Sequence, residues 1–306
     1  MKKTILVVSA VGMMVFASCG GGKKADKAAE EQKEAPVETK AEVVDPKLVA
    51  EGPYEKLIAA TAESPAYVLI DKPQVNLEDF PKDKDGYYVI FDGKTFNGWR
   101  GYNKDSVPGR WIIEDGALKF NGAGFGEAQE ADGGDIIFTH KFKNFELAFD
   151  WKVAKGSNSG VFFHAQEIKG EPIYISSPEY QILDNVNHED AKQGKDGNRQ
   201  SASLYDMIPA KPQNSKPFGE WNTGSITVSK GSVFHKQNGQ TVVEYHLWTP
   251  KWNELIKNSK FAPGGDFPLA FKLLTNLGGD NREGYIGFQD HNDDVWFKNI
   301  RVRIIE

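Results

Sequence analysis

Two short stretches of this chain hold residues able to move protons. In NVNHED, His188 stands beside Glu189 and Asp190; in GFQDHNDD, His291 follows Asp290 and precedes Asn292, Asp293 and Asp294. A histidine among carboxylates can serve as a general base near neutral pH, and it can equally be a hydrogen-bonding group at a strand end. The carboxylates form a second constellation, because Glu179, Asp184 and Asp150 could supply an acid/base pair of the glycosidase kind if the fold brings them together. His188, Glu189, Asp190 and the Asp293-Asp294 pair are rich enough in oxygen for calcium, but no loop has calcium-binding spacing. The chain has no HExxH, no CxxC, no GxGxxG opening a helix and no GxSxG elbow, so zinc, nucleotide, nicotinamide and serine-hydrolase chemistry get no support. No cofactor is required by the sequence, and a divalent ion is left open.

These residues need a scaffold. The stretch from Pro178 to Ala210, PEYQILDNVNHEDAKQGKDGNRQSASLYDMIPA, begins like a strand and becomes a polar excursion that also carries Asp196, Asn198 and Arg199. A segment of this composition cannot bury apolar area, which places it on the surface as a loop hung from a sheet, where binding groups tend to gather. Around it, short alternating runs recur between turn signals, among them WIIEDGALKF, DIIFTHKF, FELAFDWKV, SGVFFHAQE, LAFKLLTN, YIGFQDH and VWFKNIRVRII. Asp115-Gly116 and Asn238-Gly239 are hairpin-turn dipeptides between such runs. Helical periodicity is confined to WNELIKNSKF. The pattern predicts one all-β domain, a sandwich or jelly roll, over residues 87–306.

Alternation also assigns faces. Leu147, Phe149, Trp151 and Val153 oppose Glu146, Ala148, Asp150 and Lys152; Val161, Phe163 and Ala165 oppose Phe162, His164 and Gln166; Glu179 and Gln181 share one face. A sheet face that mixes polar and aromatic groups suits a sugar, with hydroxyls at its edges and CH patches on its faces. Trp221, Trp248, Trp252 and Trp296 serve either as packing or, for one of them, as a sugar-stacking platform. A net charge of −6 without a basic stripe argues against nucleic acid as a partner.

The N-terminus reads as an address. Residues 1–18 have the Lys2-Lys3 start, apolar run and small residues of a secretory signal, too short an apolar run for a bilayer span. Cys19, the single cysteine of the 306 residues, closes FASC, which resembles a bacterial lipobox and predicts lipidation. This implies a cell-envelope lipoprotein held to the membrane by its lipid anchor alone. Residues 19–46 lack aromatics and alternate Lys with Glu, as a flexible tether does. Residues 47–86 form an extension, with a short helix expected around Tyr54 to Thr61 and edge or connecting segments around Pro73 and Pro81.

Taken together and in order, VIFDGKTFNGWR, FELAFDWKVAKGSNSGVFF, PEYQILDN, ASLYDMIPA, KPFGEWNTGSITVSKG and YIGFQDHNDDVWFKNIRVRII resemble the 3-keto-disaccharide hydrolase domain family across residues 87–306. The resemblance implies a concanavalin A-like jelly-roll sandwich acting on glycosides oxidised at C3. A C3 ketone acidifies the C2 proton, so a base could form an enolate and the C1–O bond could break by β-elimination, with water adding afterwards. It also places Asn158, Ser159, Glu179, Gln181, Asp184, Gln289, Asp290 and His291 in the site region, with His291 or Glu179 as base and Asp150 or Asp184 orienting or donating. His164 stands where many members carry Arg, and QDHN replaces the commoner QDHG. His188, Arg199 and Trp221 complete the expected substrate contacts. The rival reading is a non-catalytic carbohydrate-binding lipoprotein on the same fold; a pure binding face has less reason to gather carboxylates and histidines.

Overall fold

The computed structural model describes residues 52–122 and 132–306. The chain divides after Val43, and the unit Val44–Glu306 is the one described below. The leader, Cys19 and the tether lie outside the described residues.

In chain order the strands are β1 (Glu55–Ile58), β2 (Tyr67–Ile70), β3 (Tyr88–Val89), β4 (Trp99–Gly101), β5 (Trp111–Glu114), β6 (Ala117–Phe120), β7 (Ile136–Phe142), β8 (Phe145–Val153), β9 (Asn158–Ala165), β10 (Glu167–Ile168), β11 (Glu179–Leu183), β12 (Asn222–Ser229), β13 (Ser232–Gln237), β14 (Gln240–His246), β15 (Gly284–Phe288) and β16 (Val295–Ile304). Two antiparallel sheets stack as a jelly-roll sandwich. The smaller runs β11-β9-β15-β7-β4; the larger runs β14-β13-β12-β8-β16-β6-β5, with β3 also paired to β16. A small third sheet, β1-β2-β10, adds Tyr67 and Ile168 to the common core.

Strict alternation builds the core. In β8 the expected set Leu147, Phe149, Trp151 and Val153 is buried, and the intervening residues are partly exposed. Val161, Phe163, Tyr180, Ile182, Ile286 and Phe288 meet this set from the smaller sheet in one continuous apolar layer. The other face of the smaller sheet carries a separate cluster, Tyr102, Ile137, Phe162, Ala165, Ile173 and Tyr285. That cluster fills one end of the outer face; the remainder of this face is polar and carries the candidate site. Asp115-Gly116 and Asn238-Gly239 turn the β5–β6 and β13–β14 hairpins with positive φ at both positions, as two-residue hairpins with the twist of the strands require.

Three local expectations are corrected. The helix expected around Tyr54 to Thr61 is the strand β1, paired with β2 from Glu55↔Ile70 to Ile58↔Tyr67. A helix of one or two turns is marginal on its own, whereas the edge of β2 offers backbone partners at once. LAFKLLTN is instead a helix, α2 (Ala270–Thr275), whose buried residues Ala270, Leu273 and Leu274 follow helical spacing; it packs near α1 (Pro250–Lys257), which the sequence does predict. In β9 the alternation breaks at His164, where the register with β15 shifts and φ is +54°. This bulge turns Ala165, rather than His164, onto the outer face with Phe162.

Candidate active site

The outer face of the smaller sheet positions the chemistry through its strand register. Gln181 of β11 pairs with Gly160 of β9, and the Gln289 N–H donates to the Gly160 carbonyl at 2.9 Å, so these three residues form one row. On one side of this row lies Glu179, paired with Phe162; on the other lies Asn158, paired with Leu183. Glu179 is buried, and its carboxylate lies across the face of Gly160: a Cβ on that glycine would meet Glu179 Oε1 at 2.3 Å. Glycine at 160 is what lets the carboxylate lie flat on the sheet.

Asn158 Oδ1 and Gln289 Oε1 on this floor are buried and have no hydrogen-bond partner among the described residues. A buried amide oxygen without a donor costs about 1–3 kcal/mol, so each marks a point of the floor that is not optimised for stability alone.

At the Asn158 end the two proton-moving stretches converge. The rings of His188 and His291 meet edge to face with centres 5.7 Å apart. His291 Nδ1 lies 3.5 Å from Asp293 Oδ2, and that same oxygen accepts the Asn158 N–H at 3.1 Å. Asp293 thus ties His291 to the first residue of β9. His188 starts a short 3-10 turn over Glu189–Lys192, and its Nδ1 accepts the Asp190 N–H at 3.1 Å. Burial, followed by the nearby His291, holds the His188 pKa below its ordinary value, against the opposing carboxylates of Asp293, Asp190 and Asp184.

His188, His291 and Asp293 are residue types that hold divalent cations, and each brings one donor atom within 4.8 Å of the others. The fit to a metal is poor at His188. A ligating histidine donates its other ring N–H to an acceptor, whereas here a backbone N–H points at Nδ1 and consumes the lone pair of the neutral ring. In this arrangement the three residues are held together by ring packing and the His291–Asp293 contact.

The other expected residues divide into supports and outsiders. Asp184 accepts N–H bonds from Gly156, Val186 and Asn187 and from the Asn187 side chain; burial pushes its carboxyl up, but these donors outweigh it and hold the pKa below the usual range. It therefore shapes the turn that leads to His188. Asp290 accepts from Gly134 and Asn292 N–H, with burial raising its pKa, and fastens the loop before β7 beneath His291. The Ser159 hydroxyl donates to the Gln289 carbonyl at 2.8 Å, and Gln181 Oε1 accepts the Ile182 N–H, so both serve the floor from within it. Arg199 is committed to Asp190 at 2.8 Å and Asp206 at 2.7 Å, as a wall of the site.

Asp150, Trp221 and His164 are not part of the assembly. Asp150 lies on the outer face of the larger sheet, accepting from Asn299 Nδ2 at 2.6 Å in a recess of about 600 Å³. The carboxylates of that recess are already engaged: Asp83 with Arg301 and backbone N–H groups, Asp92 with Lys94 and Thr95. Trp221 shares that side, with Lys298 at 4.0 Å and Lys152 at 5.1 Å from its ring centre, so ammonium groups occupy the position a stacked sugar would need. His164 is fully buried, bonded through Nε2 to the Lys143 carbonyl and stacked on Trp248, and burial lowers its pKa to about 4. Sequence reasoning in turn missed Tyr205, whose hydroxyl donates to Asp190 and whose N–H donates to the Glu179 carbonyl. Its place in ASLYD, near the end of the Pro178 to Ala210 stretch, was the available signal.

Known proteins are similar to this chain in sequence and fold. Residues 86–303 match the 3-keto-alpha-glucoside-1,2-lyase-like domain. A Bacteroides thetaiotaomicron protein named 3-keto-disaccharide hydrolase is 56% identical over 301 residues, 95% of each chain. Two Parabacteroides distasonis crystal structures of putative glycosyl hydrolases superimpose with TM-scores of 0.61 and 0.52, at 28% and 27% identity, each covering 72% of this chain and 95% and 99% of their own. This chain belongs to the 3-keto-alpha-glucoside-1,2-lyase-like family.

Proposed function

We propose that this chain cleaves the glycosidic bond of 3-keto-glycosides, 3-keto-disaccharides among them, by proton abstraction at C2. The observation that carries this reading is the convergence on one sheet face of Glu179, laid over Gly160, and the His188–His291 pair held beside Asp293. These groups supply acid–base chemistry that a passive lectin face does not need.

In the proposed sequence His291, oriented by Asp293, takes the C2 proton, and the C–H electrons move to make the C3 ketone an enolate. Collapse of the enolate restores the C3 carbonyl, forms a C1=C2 double bond and expels the C1 oxygen, which takes up a proton. Glu179 hydrogen-bonds the sugar hydroxyls and is the alternative base. Addition of water across C1=C2 then yields the free 3-keto sugar. The relative's name describes hydrolysis and the family's name describes elimination; one shared first step accommodates both. The leader and Cys19 support a lipid-anchored enzyme of the cell envelope.

The test is product analysis on a 3-keto-glucoside in D2O. Aglycone release with deuterium at C2 of the sugar product is expected. A saturated sugar product without deuterium at C2 replaces elimination by direct hydrolysis. The 1,2-unsaturated 3-keto sugar, which has no hydrogen at C2, marks elimination that stops before water adds, and tight binding without release selects the carbohydrate-binding rival.

A further inference from the structure

His188 is held in one tautomer by its surroundings. The Asp190 backbone N–H can only donate, so Nδ1, 3.1 Å away, must present its lone pair, and the proton of the neutral ring sits on Nε2. The turn that aims this N–H is clamped from its far side. Asp190 Oδ1 accepts from Arg199 Nη1 at 2.8 Å, and Asp190 Oδ2 accepts from the Tyr205 hydroxyl at 2.9 Å. Arg199 is anchored in turn by Asp206 Oδ1 at 2.7 Å, and Asp206 Oδ2 accepts the Lys260 N–H at 2.8 Å. The Arg199 guanidinium also lies 5.4 Å from the Tyr205 ring centre. Every polar end of Asp190 is therefore occupied, and Tyr205 links the clamp to the Glu179 strand through its own N–H.

We propose that the Arg199–Asp190–Tyr205 clamp is a positioning device that fixes His188 as a neutral Nε2–H donor, and that this N–H stabilises the C3 oxygen as it becomes an enolate. The inference rests on the reading of His291 as the base. A neutral imidazole is suited to this task, because it donates a strong hydrogen bond to a developing oxyanion without adding a second positive charge beside a ring that must itself accept a proton. The edge-to-face packing of His188 on His291 makes simultaneous charging of the two rings unfavourable, and the lowered pKa of His188 agrees with that division of roles. Arg199, Asp190 and Tyr205 act through His188 and touch no reacting atom in this scheme.

The test combines nitrogen-15 NMR of histidine-labelled full-length protein, with the His188 signals identified by loss in His188→Gln, and steady-state kinetics on a 3-keto-glucoside. At neutral pH the His188 ring is expected as the Nε2–H tautomer, unchanged on adding Mn²⁺ or Zn²⁺. Asp190→Asn and the milder Tyr205→Phe are expected to mix the tautomers and lower kcat with little change in KM. His188→Phe, which removes the donor, is expected to lower kcat by about 10²–10³-fold, and His188→Gln to recover part of it. An Nδ1–H or doubly protonated ring at neutral pH overturns the proposal, as does a metal-induced shift of the His188 signals. Tautomers and kcat unmoved in both clamp variants also overturn it. The NMR readout needs no turnover, so a correct tautomer in a protein that leaves 3-keto-glucosides intact would refute the proposed function and leave the clamp standing.

Discussion

His291 and Asp293, two residues apart on a turn, are joined by a 3.5 Å contact between Nδ1 and Oδ2, and the same carboxylate oxygen is pinned by the first N–H of β9. The proposed base is thereby tied to the strand that carries the floor of the candidate site. The long excursion delivers His188 to the same place, so the site is assembled from both sequence stretches that hold acid–base residues.

Replacing His291 by Ala should lower kcat on a 3-keto-glucoside by about 10²–10⁴-fold, the usual contribution of a positioned general base. Glu179→Gln should act mainly on KM if Glu179 binds hydroxyls. Should the two variants exchange behaviours in initial-rate measurements, the base is Glu179.

Gly160→Ala probes the floor without touching an ionisable group. The added methyl would overlap Glu179 Oε1 and lie 2.8 Å from its Cδ and Cγ, so the flexible carboxylate must lift away. Because only a side chain has to move, thermal stability should change little, while kcat/KM falls by about 10²-fold, as expected for a displaced substrate-orienting group. An active variant would show that the carboxylate's position over residue 160 is irrelevant to turnover.

Asp150→Asn and Trp221→Leu supply the contrast. Both side chains occupy the outer face of the opposite sheet, one bonded to Asn299 and the other flanked by Lys152 and Lys298. Each should keep kcat and KM within about twofold of the parent, since neither makes contact with the floor or the histidine pair. A tenfold loss in either would move the search for the site to the larger sheet.

What was legible beforehand follows from what alternation can and cannot encode. The period of two located nearly every strand, and in β8 it named the buried set residue by residue. It could not say which of the sandwich's two outer faces is functional, so Asp150 was grouped with Glu179 although they stand on different sheets. At His164 a single extra residue reversed the pattern, and no local signal marks a bulge whose cause is the partner strand. The short α2 was hidden for another reason: LAFKLLTN satisfies both periods over so few residues. His188, Glu179, Gln289 and His291 were identifiable by type and by resemblance, but their convergence depends on the register of three strands, which the sequence does not spell out.

The two fully buried histidines on the core side of the sheets predict how stability depends on pH. His164 and His235 are fully buried, and burial lowers both pKa values from 6.5 to about 4, against the raising effect of their bonds to the Lys143 and Ala202 carbonyls. A folded-state pKa below the unfolded value means that the unfolded chain binds more protons between the two. Their contribution is therefore complete above pH 6.5 and is lost progressively as the pH falls toward 4. Within that window each histidine contributes a slope of up to about 1.4 kcal/mol per pH unit. Urea unfolding at half-unit steps should show this decline, and His235→Gln, although less stable at pH 7, should show a shallower one. Equal slopes in parent and variant would mean that His235 titrates alike in the folded and unfolded chain, and that its burial is not what sets the acid limit of this fold.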